Sequence, residues 1–155
     1  MIASELEPLA ELYESDETAW LESMAELARH ARGSALDYEH LAEYLNDMAR
    51  RDRREVENRV AVLIAHLLKW QHQPAKRSRS WLVTAEQQRQ ELLRLFSSGT
   101  LRNHAESTLA DTYADGLRLA MAETGLPTTA FLAECPYTLA ELLQELVVDD
   151  LPEEQ

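Results

Sequence analysis

The sequence has a single cysteine, Cys135, in 155 residues. One thiol excludes an internal disulfide framework and any all-cysteine metal site. Four glycines and five prolines exclude collagen-like and Gly/Pro low-complexity chains. They also leave little room for a phosphate-cradling glycine loop, and no Gly-x-Ser-x-Gly elbow occurs. Long apolar runs are missing as well. The most apolar stretch, Val60 to Leu68, is broken by His66 and stopped by Lys69, short of the roughly 20 residues that span a bilayer. Met1 to Pro8 carries Glu5 and Glu7 and has neither the basic nor the apolar part of a signal peptide. The expectation is a cytoplasmic protein that does not enter membranes.

What is present is an apolar fraction of 45%, enough for a core, on a chain whose length suits one domain. We expect a single helical domain over 1–155, with an ordered part at about 9–147 and an acidic tail at 149–155. The net charge is −13. Such a chain repels nucleic acid on average, because binding it needs a basic surface that releases counterions. One segment reverses the balance. Residues 50–79 hold nine basic side chains against Asp52, Glu55 and Glu57, a local charge of +6.

Apolar residues recur at helical spacing throughout, with no sustained period-2 alternation and no Asn-Gly or Asp-Gly hairpin signal. Asp16 reads as the N-cap of a helix over 16–32 that carries Trp20, Leu21, Met24 and Leu27 and is closed by Gly33. Leu9, Leu12 and Tyr13 suit a short leading turn. Asp37 opens a stripe of Leu41, Leu45 and Met48 that resumes at Val56, Val60, Leu63, Leu67 and Trp70. Between the two halves stands Asp52, which with Glu55 resembles a capping box, so a break or kink near 50–52 is favoured over one long helix. Pro74 ends this stretch. Ser78 or Ser80 caps the next helix, and Ser97-Ser98-Gly99 is a turn. Thr100 then caps a helix through Ala120, with Gly125 at its C′ position. A short helix is expected to hold Phe131, and Thr138 caps a last one with Leu139, Leu142, Leu143 and Leu146. The fold class is all-α: an antiparallel bundle of about four main helices with short C-terminal helices.

Four stretches carry a family resemblance. They are Leu12-Tyr13 with Asp16 and Trp20; His66-Leu67-Leu68-Lys69-Trp70-Gln71 with Pro74 and Arg77-Ser78-Arg79-Ser80-Trp81; Glu123-Thr124-Gly125-Leu126-Pro127; and Cys135-Pro136-Tyr137. The chain resembles, over about 9–147, the bacterial domain of unknown function number twenty-nine. A departure lies at Ala49-Arg50-Arg51-Asp52, where that family carries glycine and serine around the arginine. The resemblance implies an all-helical fold and no established activity. It supplies no catalytic residues.

Asp37-x-x-His40 with Glu43 and Asp47 is the nearest approach to a metal set, but no second Glu-x-x-His completes a pair, and a solvated polar face is favoured. No metal or cofactor is expected. Glu134 beside Cys135 raises rather than lowers a thiol pKa, which favours an unreactive, packing cysteine. His66 reads as a satisfied, half-buried histidine. Trp70 and Trp81 are expected to pack together across the Pro74 turn. The remaining feature is the basic turn itself. Lys69, His72, Lys76, Arg77, Ser78, Arg79 and Ser80 converge on one helix N-terminus, where free amides and the macrodipole favour anions. Internal neutralisation of the chain's own acids is the favoured account of these cations. Among binding readings, we expect a non-enzymatic interaction module that uses the turn around Pro74 to bind a protein partner or itself. A small anion at the Ser78–Trp81 helix start is a variant of this. A nucleic-acid-associated or antitoxin-like accessory protein is the alternative, with nucleic acid disfavoured by the charge. An enzyme with a site near His66 or Cys135 is the third.

Overall fold

The computed structural model describes residues 2–144 and Leu146, with side chains from residue 9 onward. The expected acidic tail at 149–155 lies outside the described residues. The described residues form seven α-helices and three 3-10 turns and contain no strand. No helix among them is long and apolar enough to cross a membrane. The chain divides into two compact units, Met1–Arg51 and Asp52–Gln155.

The first unit contains α1 (Ile2–Ser15), α2 (Glu17–Arg29), a 3-10 turn at Gly33–Ala35 and the first part of α3 (Tyr38–His72). The leading segment is therefore a full helix rather than a short turn. Asp16 caps α2 as expected, its carboxylate accepting from the Ala19 amide at 3.1 Å. The exit of α2 differs from expectation. The helix stops at Arg29, and the reversal uses Ala31 at φ 54°, in the left-handed region where glycine is the usual occupant. The Ala31 amide donates to the Ala28 carbonyl and the Arg32 amide to the Leu27 carbonyl. This is a Schellman ending with alanine at C′. Among the described side chains of this unit, Trp20, Met24, Ala35 and Asp37 are buried.

The expected break near 50–52 does not occur: α3 runs unbroken for 35 residues through Asp52. No proline or glycine stands between Asp37 and Pro74, and the arginines and glutamates around Asp52 are good helix formers. Asp52 is half-buried within the helix and caps nothing. Leu45, placed on the apolar stripe by its spacing, is 58% exposed.

The second unit packs the later part of α3 against α4 (Arg79–Leu95), α5 (Gly99–Ser107), α6 (Leu109–Thr124) and α7 (Leu139–Leu142). Ser78 caps α4 and Thr138 caps α7. Ser98, not Thr100, caps α5. The single helix expected up to Ala120 is two, joined at Thr108. There the Ser107 and Thr108 hydroxyls both donate to the His104 carbonyl, at 2.9 and 2.8 Å, and compete with the helical ladder. Gly125 ends α6 at φ 72°. Phe131 is buried just after a 3-10 turn at Thr128–Ala130. The last helix is a single turn and stops at Leu142.

Contacts order these helices. Arg59 on α3 reaches Gln88 on α4, so the two run antiparallel about the Pro74 turn. Gly116 lies against Ala61 and Ile64, and Glu123 against Lys69, so α6 runs parallel to α3. Gly116 is what allows the close approach. A Cβ there would stand 2.7 Å from Ile64 Cγ2 and 2.8 Å from the Ala61 carbonyl oxygen. The core of this unit centres on Val56, Val60, Leu63, Ile64, Leu68, Leu92 and Leu142.

Candidate interaction site at the end of α3

The last turn of α3 must satisfy carbonyls that have no amide beyond them. Arg77 supplies one answer. Its Nε donates to the Trp70 carbonyl at 2.7 Å, and its guanidinium lies 4.9 Å over the Trp70 ring. His72 bonds through Nδ1 to the Leu68 carbonyl at 2.9 Å, and its ring lies 4.6 Å from that of Phe131. The Arg77 cation also suits the negative end of the helix dipole.

Lys69 is enclosed further. Its side chain is 12% exposed, with Nζ 2.8 Å from a Glu123 carboxylate oxygen and 4.6 Å over the Trp81 ring. Burying an ammonium is tolerable because both a carboxylate and an aromatic face receive it. Trp70 and Trp81 therefore do not form the ring pair expected of them. Each instead lies beneath a cation supplied from across the turn. Gln71 completes the arrangement by accepting from the Tyr137 hydroxyl at 2.8 Å, which joins the C-terminal segment to α3.

The seven residues singled out in the sequence thus separate into two groups. Lys69, His72, Arg77 and Ser78 are engaged internally, Ser78 by accepting from the Trp81 amide at 3.4 Å. Lys76, Arg79 and Ser80 have exposed side chains; Ser80 shares a 2.9 Å hydroxyl contact with Ser78. Sequence reasoning missed Gln71, Glu123, Phe131 and Tyr137 as members of this cluster. The signal for three of them was available: Gln71, Glu123 and Tyr137 all lie in stretches that carry the family resemblance, and these stretches meet at one place.

The tyrosine and cysteine beside this cluster are held in their neutral forms. Burial above all pushes the Tyr137 hydroxyl up to about 12. Burial likewise raises the Cys135 thiol, with Glu141 adding to it, against the lowering effect of the Tyr137 backbone; its Sγ donates to the Tyr137 carbonyl at 3.4 Å. A raised thiol pKa disfavours the nucleophilic thiolate. His66 bonds its own helix at the Val62 carbonyl, 3.0 Å away. Among the described residues, His66 and Cys135 share no hydrogen bond, and no three His, Cys, Asp or Glu side chains gather as a metal-holding group.

The Asp37–His40 pair, expected on a solvated face, is instead enclosed in the first unit. Asp37 is 7% exposed and accepts from Trp20 Nε1 at 3.3 Å, from His40 Nδ1 at 2.8 Å and from the His40 amide at 3.3 Å. These bonds cap the start of α3. A buried carboxylate needs such donors, and Trp20 and His40 provide them.

A family model described as "Domain of unknown function DUF29" matches residues 12–147. No curated protein and no solved structure matches the chain.

Proposed function

The chain belongs to the DUF29 family, and from that premise, which supplies no activity, we propose that it is a non-enzymatic interaction module. In this reading it engages an acidic segment of a protein partner through the outward half of the basic turn, Lys76, Arg79 and Ser80. The observation that carries the reading is the division of that turn. Lys69 and Arg77 are committed to Glu123, Trp81 and Trp70 and hold the turn in shape, while Lys76 and Arg79 extend from it with exposed side chains. A rigid base under outward cations lowers the ordering cost of binding. The raised Cys135 thiol and the locally engaged His66 argue against a site for covalent or acid–base chemistry there. The proposal sets the protein in the cytoplasm, where a free thiol is at home.

The test compares Lys76→Gln/Arg79→Gln with Arg77→Gln. The outward double variant should keep its stability within about 0.5 kcal/mol, as ordinary surface changes do. It should nevertheless lose a partner that the wild type captures from its host in a salt-dependent way. Arg77→Gln should cost about 1–2 kcal/mol, because it leaves the Trp70 carbonyl without its charged donor. Equal capture by wild type and double variant would remove the proposal. Light scattering on the same samples covers self-association, which would appear as a dimer lost in the double variant.

A further inference from the structure

We propose that the first unit carries a pH-dependent fastener: protonated His40 ties the end of α1 to the start of α3 by holding Asp37 through Nδ1 and Glu14 through Nε2, and loss of that proton releases α1. The geometry begins with Asp37. Its buried carboxylate can only accept, so the His40 Nδ1 at 2.8 Å must carry a proton. That leaves Nε2, which faces Glu14 at 4.0 Å. With Nε2 protonated the contact is an ion pair across two helices; without it, a nitrogen lone pair faces a carboxylate. The His40 side chain is 17% exposed and stacks on Tyr13 of α1, with centroids 4.4 Å apart and planes at 26°. Both neighbours on α1, Tyr13 and Glu14, lie in the last turn of that helix, which contains no basic residue of its own. An imidazolium there serves the negative end of α1, a placement that stabilises helices.

The surroundings favour the charged form. Glu39 and Glu43 act on His40 from its own helix, and Glu14 faces it from α1. Glu17 at the start of α2, together with Asp47, Glu43 and Glu14, bears on the stacked Tyr13 and raises its hydroxyl, after burial as the first cause. The Asp37 hydrogen bond, above the opposing effect of burial, raises the His40 pKa from 6.5. A group raised on folding contributes stability that is complete below its unfolded value and fades as pH climbs through its folded one. The release of α1 is therefore placed on the alkaline side of 6.5.

Two measurements on the intact chain test this. The first is an NMR titration of the His40 ring in wild type and in Glu14→Gln, whose target is exposed and whose fold is not at risk. The second is amide exchange over residues 9–15, expressed as protection factors so that the base-catalysed intrinsic rate is removed. In wild type, protection of α1 should fall about two- to fivefold across the His40 titration, as expected of a partly exposed ion pair. Amides of α4 and α6 should show no step there. Glu14→Gln should move the His40 midpoint down and flatten the α1 profile. A wild-type α1 profile without a step at the His40 midpoint would overturn the proposal. So would a step that persists unchanged in Glu14→Gln.

Discussion

The two units are built from the same kind of helix but held by different forces. Through Arg51 the chain has twelve acidic residues and four basic ones; from Asp52 on it has sixteen and eleven. Among its described residues the first unit buries few side chains, and the largest of these, Trp20, is bonded to a buried carboxylate and flanked by Tyr13 and Tyr44. The second buries a continuous aliphatic core along α3, α4 and α6 and encloses Lys69 and Arg89 in pairs with Glu123 and Glu86. A unit short of aliphatic packing relies on polar contacts, and polar contacts respond to pH where dispersion and burial do not. One half of the molecule is therefore chemically sensitive and the other sterically sensitive.

The largest effect should come from removing the centre of the first unit. Trp20→Ala should cost about 3–5 kcal/mol, the range for a buried aromatic, and it also removes one of the three donors to the Asp37 carboxylate. Amide exchange resolved by residue should show α2 losing protection while α4 and α6 keep theirs. Comparable loss in both units would end the idea that they are held separately.

Gly116→Ala is the steric counterpart in the second unit. Alanine gains helix propensity of about 1 kcal/mol over glycine, but its Cβ meets Ile64 and a backbone oxygen that has no room to retreat. A net loss of about 1–2 kcal/mol is expected in chemical denaturation, independent of pH between 5 and 8. A neutral or stabilising outcome would show that α3 and α6 can separate cheaply.

The acid arm sharpens the contrast. Asp37 is pushed up by burial, but hydrogen bonds from the His40 side chain, the His40 amide and Trp20 outweigh this and hold it below 3.8. Its stabilisation is present above 3.8 and is lost as pH falls through the folded value. Glu86, on α4, is lowered to about 2 by Arg89 and Gln90, so the second unit has an acid arm of its own. The first unit should therefore lose support on the acid side through Asp37 and, already on the alkaline side of 6.5, through His40, whereas the raised Cys135 and Tyr137 of the second unit come into play only at about pH 9 and above. A urea midpoint for Trp20 exposure that is flat from about pH 2 to 9 would contradict this.

The smallest effect is a gain. Ala31→Gly should stabilise the first unit by about 0.5–1 kcal/mol, because glycine occupies the left-handed position without the Cβ penalty. A lower thermal midpoint would mean that the alanine methyl makes a contact worth more than the strain.

The comparison also shows what was legible beforehand. Asp16, Ser78, Thr138 and Gly125 were readable as caps because a cap is decided within four residues of chain. The all-helical class was readable because the apolar spacing is repeated from end to end. Asp52 misled, since a capping-box pattern inside a run of strong helix formers does not stop a helix that nothing else interrupts. Thr108 was overlooked for the opposite reason: two adjacent hydroxyls divide a helix without proline or glycine. The site was half legible. The basic turn stood out as a charge reversal, but whether Lys69 faces solvent or Trp81 depends on Glu123, 54 positions away in the chain. Pairings at that separation leave no periodic trace.

The placement of the three tryptophans has an optical consequence. Trp20 lies in the first unit with its indole N–H on a carboxylate, whereas Trp70 and Trp81 lie in the second, each with a cation over its ring. Charge of opposite sign at opposite parts of an indole displaces its emission differently. Near-ultraviolet fluorescence of the unlabelled protein thus contains two separable signals, one from each unit. Single Trp→Phe replacements at 20, 70 and 81 would assign them, and the chain would report on its own two halves without any attached dye.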